Sequence, residues 1–167
     1  MNKKICVVGA GYWGKNHIKT CHDLGVLNGV VDSSKEALDE ITINYPGVDV
    51  FLDIESAFKK VFDGFILSTP AATHYELAKQ IILNNYDILI EKPMVLSTAH
   101  AKELVELAKS KSVNIMVGHV LLFHPAIRKI KSIIESGEIG DLQYLYSNRL
   151  NLGKIRMEED VFWSLAP

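Results

Sequence analysis

Three groups of residues in this 167-residue chain have types and spacings suited to chemistry. The first, Gly9-Ala10-Gly11-Tyr12-Trp13-Gly14, spells GxGxxG between a short apolar run and a helical pattern. In that setting Gly9 makes the tight turn, Gly11 admits a pyrophosphate, Gly14 lets helix and strand pack closely, and the backbone amides face the anion. Asp32, followed by Ser33 and Ser34, closes the next apolar run, where a carboxylate accepts hydrogen bonds from both ribose hydroxyls and repels a 2′-phosphate. Together these residues read as a site for NAD, while Lys35 leaves NADP open. The plainer alternative is that the glycines only make a strand-to-helix turn and Asp32 only caps the following helix.

Two further groups fall after later apolar runs. Ser68-Thr69-Pro70, with His74 one turn on, reaches the carboxyl edge of a parallel sheet, where its loop can line the nicotinamide side or simply enter a helix. Glu91-Lys92-Pro93 closes the next run at the same edge. A lysine there can hydrogen-bond a substrate hydroxyl and stabilise developing alkoxide charge, with Glu91 tuning the ammonium and Pro93 stiffening the exit; a solvated turn is the competing reading. His119 and His124 are candidates for substrate contact or, equally, for packing or capping a helix.

The elements that must position these residues alternate along the chain. Strands are expected at Ile5 to Val8, Gly29 to Val31, Val48 to Phe51, Gly64 to Ser68, Asp87 to Ile90 and Asn114 to Val117. Helices are expected from Trp13 to Leu24, Lys35 to Asn44, Ile54 to Val61, Ala72 to Asn84 and Ser97 to Ser110. Strands separated by helices need crossovers, and their continuous apolar character fits burial on both faces, so the reading is a doubly wound parallel α/β sheet over residues 1–120. After Gly118 the pattern changes to a helix from Pro125 to Ser136, a turn, and an imperfectly alternating strand from Leu142 to Leu152. Residues 121–167 are read as the beginning of a second α/β domain that stops short of completion.

A net charge of −2 gives no electrostatic reason to expect nucleic acid. Cys6 and Cys21 lack the spacing of a zinc site or a redox pair and read as core thiols, and no metal is expected. No run approaches the roughly eighteen apolar residues of a membrane span, so a cytoplasmic protein is expected.

The glycine loop, Asp32, Ser68-Thr69-Pro70, His74 and Glu91-Lys92-Pro93 occur in an order that resembles the glucose-fructose oxidoreductase, inositol dehydrogenase and MocA family. The resemblance implies a Rossmann domain joined to a domain with a large, mostly antiparallel sheet. It also implies NAD(P)-dependent oxidation or reduction of sugar and cyclitol hydroxyls, with Lys92 as the active-site lysine and, together with Glu91 and Pro93, part of the cofactor and substrate site. Gly118 to Ala126 resembles the passage into the second domain, and with Trp163 to Pro167 it is similar to members acting on nucleotide-linked sugars. The family's acid-base histidine has no counterpart after His124, so the expectation is cofactor binding with little or no turnover by this chain alone. A non-catalytic dinucleotide-sensing module is the rival reading. The strand at Leu142 to Leu152, with its unpaired edges, points to self-association as a homo-oligomer.

Overall fold

The computed structural model describes residues 3–148 and Trp163. The chain divides into two compact units, Met1–Gly118 and His119–Pro167.

The first unit is one six-stranded sheet with helices on both faces. Its elements are β1 (Ile5–Val8), α1 (Gly14–Asp23), β2 (Leu27–Val31), α2 (Lys35–Asn44), β3 (Asp49–Phe51), α3 (Ile54–Ala57), β4 (Gly64–Leu67), α4 (Ala71–Leu83), β5 (Asp87–Ile90), α5 (Thr98–Lys111) and β6 (Ile115–Val117). All strand pairs are parallel, in the spatial order β3-β2-β1-β4-β5-β6. The order reverses between β1 and β4, and the crevice outside the carboxyl ends at such a point is where open α/β sheets hold ligands.

The sheet feeds two cores, because successive side chains of a strand point to opposite faces. Val7 and Val30 meet Ile18 and Cys21 of α1 and Leu38 and Ile41 of α2 on one side. Cys6, Val8, Phe65, Leu67, Ile88 and Ile90 pack on the other against Ile54, Ala78, Ile81, Ile82 and Leu104. Both cysteines are buried free thiols. Gly29 is required within β2 by contact, since a Cβ there would lie 2.8 Å from the Phe62 ring.

Register does the rest of the positioning. Val8 stands opposite Val31 and Leu67, Leu67 opposite Ile90, and Ile90 opposite Val117, so the strand ends form a row. The ladder runs one residue further: Gly9 N–H donates to Val31 O at 2.8 Å, Ser68 N–H to Val8 O at 2.8 Å, Glu91 N–H to Leu67 O at 2.9 Å and Gly118 N–H to Ile90 O at 2.8 Å. Gly9, Asp32, Ser68, Glu91 and Gly118 are thereby brought to one edge.

The expected elements of this unit all form, with shifted bounds. α1 begins at Gly14 because the chain is still turning at Trp13, β2 starts two residues earlier at Leu27, and α3 stops at Ala57, four residues before Val61. The second unit holds a 3₁₀ turn (Val120–Phe123) and α6 (Pro125–Glu135). The strand expected from Leu142 is not formed over residues 142–148, whereas residues 149–152 lie outside the described residues. A strand exists through its hydrogen-bonded neighbours, and among the described residues none runs beside this segment. No helix among the described residues is long and apolar enough to cross a membrane.

Candidate functional site

The glycine loop is shaped by close contacts whose nature differs at each glycine. Gly9 has φ +97°, and a Cβ there would sit 2.9 Å from the Ser68 carbonyl carbon and the Thr69 nitrogen. Gly14 opens α1 directly against the loop, so its Cβ would fall 1.9 Å from Gly9 O. Gly11 has nothing within 4 Å of its Cβ position. Two of the glycines therefore serve the close approach of chain to chain, while the third faces open space. Tyr12 is almost fully exposed beside the half-exposed Trp13, their rings stacked 6.5 Å apart.

The start of α1 differs from the starts of α2 and α3. Ser34 caps α2 by accepting from Ala37 N–H at 3.2 Å, and Asp53 caps α3 by accepting from Ser56 N–H at 2.7 Å. α1 has no side-chain cap and no acidic residue in its first turn. α4 and α5 share this lack of a side-chain cap, and in α1 the Lys15 and Asn16 amides already donate to Gly11 O and Trp13 O, so what α1 offers an anion is the positive end of its dipole and the turn amides just before Lys15.

Asp32 is tied into this loop. Its Oδ2 accepts from Ala10 N–H at 2.7 Å and its Oδ1 from Ser34 N–H at 2.8 Å. A carboxylate offers about four lone-pair positions, so one on each oxygen remains for a ribose hydroxyl. Ser33 is exposed next to it. The open Gly11, the uncapped α1 and the half-used Asp32 carboxylate together fit a dinucleotide.

On the β4 side, Ser68 Oγ–H points to Val8 O at 3.1 Å and Gly9 O at 3.0 Å, pinning the loop after β4 beneath the glycine turn. Pro70 precedes the first residue of α4, and Thr69 Oγ1 meets Thr73 Oγ1 at 2.7 Å. His74 is buried, with Nδ1 at 2.9 Å from Pro93 O and Nε2 at 2.8 Å from Thr69 O. Both ring nitrogens are occupied by backbone carbonyls. His74 thus ties the β4 and β5 loops together through both ring nitrogens.

Glu91 is the centre of the β5 side. It is 6% exposed, and its Oε1 accepts from Trp13 Nε1–H at 2.6 Å and lies 2.7 Å from His17 Nε2, while Oε2 accepts from Lys92 N–H at 3.1 Å. Burial pushes this carboxyl up, but the hydrogen bonds from His17, Trp13 and the Lys92 amide outweigh it and hold the group below its ordinary 4.5. The Lys92–Pro93 peptide is cis. Glu91 thus grips α1 as well as the turn that carries Lys92, a broader role than tuning an ammonium.

A carboxyl held low in the fold stabilises it above the ordinary carboxylate range and stops doing so as pH falls through that range. Glu91→Gln should therefore lose stability to the wild type at pH 7, with the gap narrowing below about pH 4.5. Urea melts at several pH values read this out; a gap of constant size would refute it.

His17 and Thr73 are the site-edge residues that sequence reasoning passed over. The available signal was His17, a polar ring one turn into α1 on the same helix as the loop. His124 turns out to cap α6, its Nδ1 accepting from Ala126 N–H at 3.2 Å, and His119 is half-buried just before the 3₁₀ turn. No cluster of three potential metal ligands occurs among the described residues. A shallow groove of about 410 Å³ opens at the opposite, amino edge between Lys3, Ile5, Asp63, Ile66, Leu89 and Met116. Its Lys3 and Asp63 are paired with each other at 3.1 Å, so it lacks the converging donors of the carboxyl edge.

Residues 3–119 match the family model described as "Oxidoreductase family, NAD-binding Rossmann fold", that of the Gfo/Idh/MocA proteins. The chain belongs to the Gfo/Idh/MocA family. The chain is 29% identical to the UDP-N-acetylglucosamine 3-dehydrogenase of Acidithiobacillus ferrooxidans over 95% of its own length and 49% of that protein's. It is 26% identical to an inositol 2-dehydrogenase of Corynebacterium glutamicum over 85% of the chain and 44% of that protein. Among solved structures, GenD2 of gentamicin A biosynthesis in complex with NAD superposes with a TM-score of 0.77 at 26% identity, covering 82% of this chain and 40% of that one. The chain spans about half the length of the curated relatives it matches. Within the Gfo/Idh/MocA family, then, what is seen here is the NAD-binding Rossmann domain with the residues that follow it.

Proposed function

We propose that the protein carrying this chain is an NAD-dependent dehydrogenase acting on a hydroxyl of a nucleotide-linked sugar. One observation supports this above others: the glycine loop and the Lys92 turn meet at one sheet edge, bridged by the buried Glu91 carboxylate. The likeness to a UDP-N-acetylglucosamine 3-dehydrogenase supports the substrate class.

In this reading the amides from Gly11 to Gly14 receive the pyrophosphate, with Tyr12 and Trp13 beside it. Asp32 receives the adenosine ribose hydroxyls and Ser33 borders them, while Ser68, Thr69 and Pro70 form the wall on the β4 side. NAD supplies the hydride acceptor or donor. Lys92 donates a hydrogen bond to the substrate oxygen and stabilises the alkoxide character that this oxygen carries between loss of its proton to a separate base and departure of hydride from the adjoining carbon, or, in the reverse direction, after hydride arrives. Glu91 and Pro93 hold that lysine's turn. His119 and His124 belong to the segment that leads to the substrate domain, and residues 121–167 are its beginning.

The reading is tested by following nicotinamide absorbance in the whole protein with UDP-N-acetylglucosamine and with inositol. Turnover of the nucleotide sugar is expected; NADH binding without turnover of any sugar would favour a sensor. Asp32→Ala should weaken NADH at least about tenfold and leave NADPH affinity unchanged or improved, since it removes two acceptors and the charge that repels a 2′-phosphate. Fluorescence titration of both nucleotides decides it, and an equal loss for the two would discard the assigned role of Asp32.

Tyr144, Leu145 and Tyr146 are all more than 70% exposed. Exposed apolar clusters favour association, so the protein is expected to be a homo-oligomer through its second unit. Light scattering showing a monomer at high concentration would oppose this.

A further inference from the structure

Glu91 carries more of the site than its place in a turn suggests. Its carboxylate is backed by Gly118 at the end of β6, where a Cβ would come within 3.1 Å of the carboxylate carbon and of Oε1. In front it meets two donors, the Trp13 indole just before α1 at 2.6 Å and the His17 ring of α1 at 2.7 Å. Its second oxygen takes the backbone N–H of Lys92 at 3.1 Å. The carboxylate and the start of Lys92 are therefore locked to each other, and whatever fixes the carboxylate fixes where the lysine side chain begins.

The two donors are not equivalent. Trp13 lies in the glycine turn itself and is 45% exposed, so its ring is held by little besides this bond and its stacking on Tyr12. His17 stands one turn inside the helix, its side chain 21% exposed, next to Ile18, which is fully buried against the sheet. It is the donor with a rigid root.

We infer that His17 is a positioning residue for Lys92, acting through Glu91 to hold the lysine turn at a set distance from the helix end that faces the dinucleotide. The inference rests on the reading of Lys92 as the group beside the reacting carbon. Without His17 the buried Oε1 loses one of its two donors, and a buried carboxylate short of a donor turns toward water and takes the Lys92 amide with it. A glutamine at position 17 places an amide nitrogen near that of the His17 Nε2 and restores the donor.

The test needs no substrate. Acetic anhydride labelling of Lys92, read by peptide mass spectrometry with and without saturating NADH, reports whether the amine lies beside the bound nucleotide. Wild-type protein should show Lys92 protected by NADH. His17→Ala should bind NADH within about threefold of wild type yet lose at least about fivefold of that protection, and His17→Gln should recover most of it. Wild-type-like protection in His17→Ala, or a failure of His17→Gln to recover it, overturns the inference while leaving the Lys92 reading in place. Labelling of wild-type Lys92 that ignores NADH overturns the Lys92 reading and the inference with it. Where His17→Ala does not fold, His17→Asn, whose amide falls short of Glu91, takes its place with the same expectation.

Discussion

Gly14→Ala is expected to destabilise the fold by about 3 kcal/mol or more and to abolish measurable NADH binding. The methyl would land 1.9 Å from Gly9 O and 2.8 Å from Gly9 C, both backbone atoms, with Ser68 Oγ at 2.9 Å. No side chain can swing away to relieve such a contact. Either α1 moves off the sheet, losing the packing of Ile18 and Cys21, or the Gly9 turn opens, breaking the Gly9 N–H bond to Val31 O. Both routes disrupt the turn amides that the proposed reading assigns to the pyrophosphate. Gly11→Ala is the control, because its Cβ meets nothing within 4 Å. That variant should melt within about 1 kcal/mol of wild type yet bind NADH much more weakly, since the methyl occupies the space an anion must enter. Thermal melts beside NADH titrations separate the two, and a Gly14→Ala protein with wild-type melting would contradict the close packing seen here.

Lys92→Ala is expected to reduce turnover in the whole protein by about a hundredfold or more while leaving NADH affinity nearly unchanged. Its ammonium is assigned to the alkoxide charge that the substrate oxygen carries during the reaction and not in the bound alcohol, so its removal costs the transition state more than bound cofactor. In the proposed reading the dinucleotide is held chiefly by the glycine loop and Asp32, and truncating the Lys92 side chain leaves the Ala10 N–H bond to Asp32 and the Trp13 bond to Glu91 in place. Steady-state kinetics with a nucleotide sugar and fluorescence titration of NADH are the measurements. Undiminished turnover would exclude Lys92 from the chemistry, and a parallel collapse of NADH binding would make it a cofactor residue instead. Lys92→Arg offers a further check, since a planar guanidinium keeps the charge but not the geometry, and little recovery is expected from it.

Much of the fold was legible because apolar runs separated by helical patterns leave few arrangements. Parallel strands need crossovers, and crossovers bury both faces, so Ile5-Cys6-Val7-Val8 and Asp87-Ile88-Leu89-Ile90 could be placed as core strands without knowing their neighbours. The glycine loop was legible for a local reason: a strand, a positive-φ turn and a helix start follow one another within a few residues. The segment at Leu142 was not, because alternation marks a side chain's preference for one face and cannot supply the partner strand that makes a strand real. The bonding of His74 was not legible for a similar reason. Its position one turn after Pro70 is visible in the chain, but whether its nitrogens meet a ligand or the carbonyls of Thr69 and Pro93 depends on how two loops cross.

The sequence by itself determined the doubly wound sheet, the glycine turn, the carboxylate of Asp32 at the end of the second strand and the lysine at the end of the fifth. These follow from local periodicity and from the rule that parallel strands all end at one edge. Only the tertiary structure decided how the two halves of the site are joined. The Glu91 carboxylate meets Trp13 and His17 across 78 and 74 positions of chain, a meeting set by the β1–β4–β5 register and by the packing of α1 on the sheet. A buried carboxylate must find donors, and which ones it finds is settled in space.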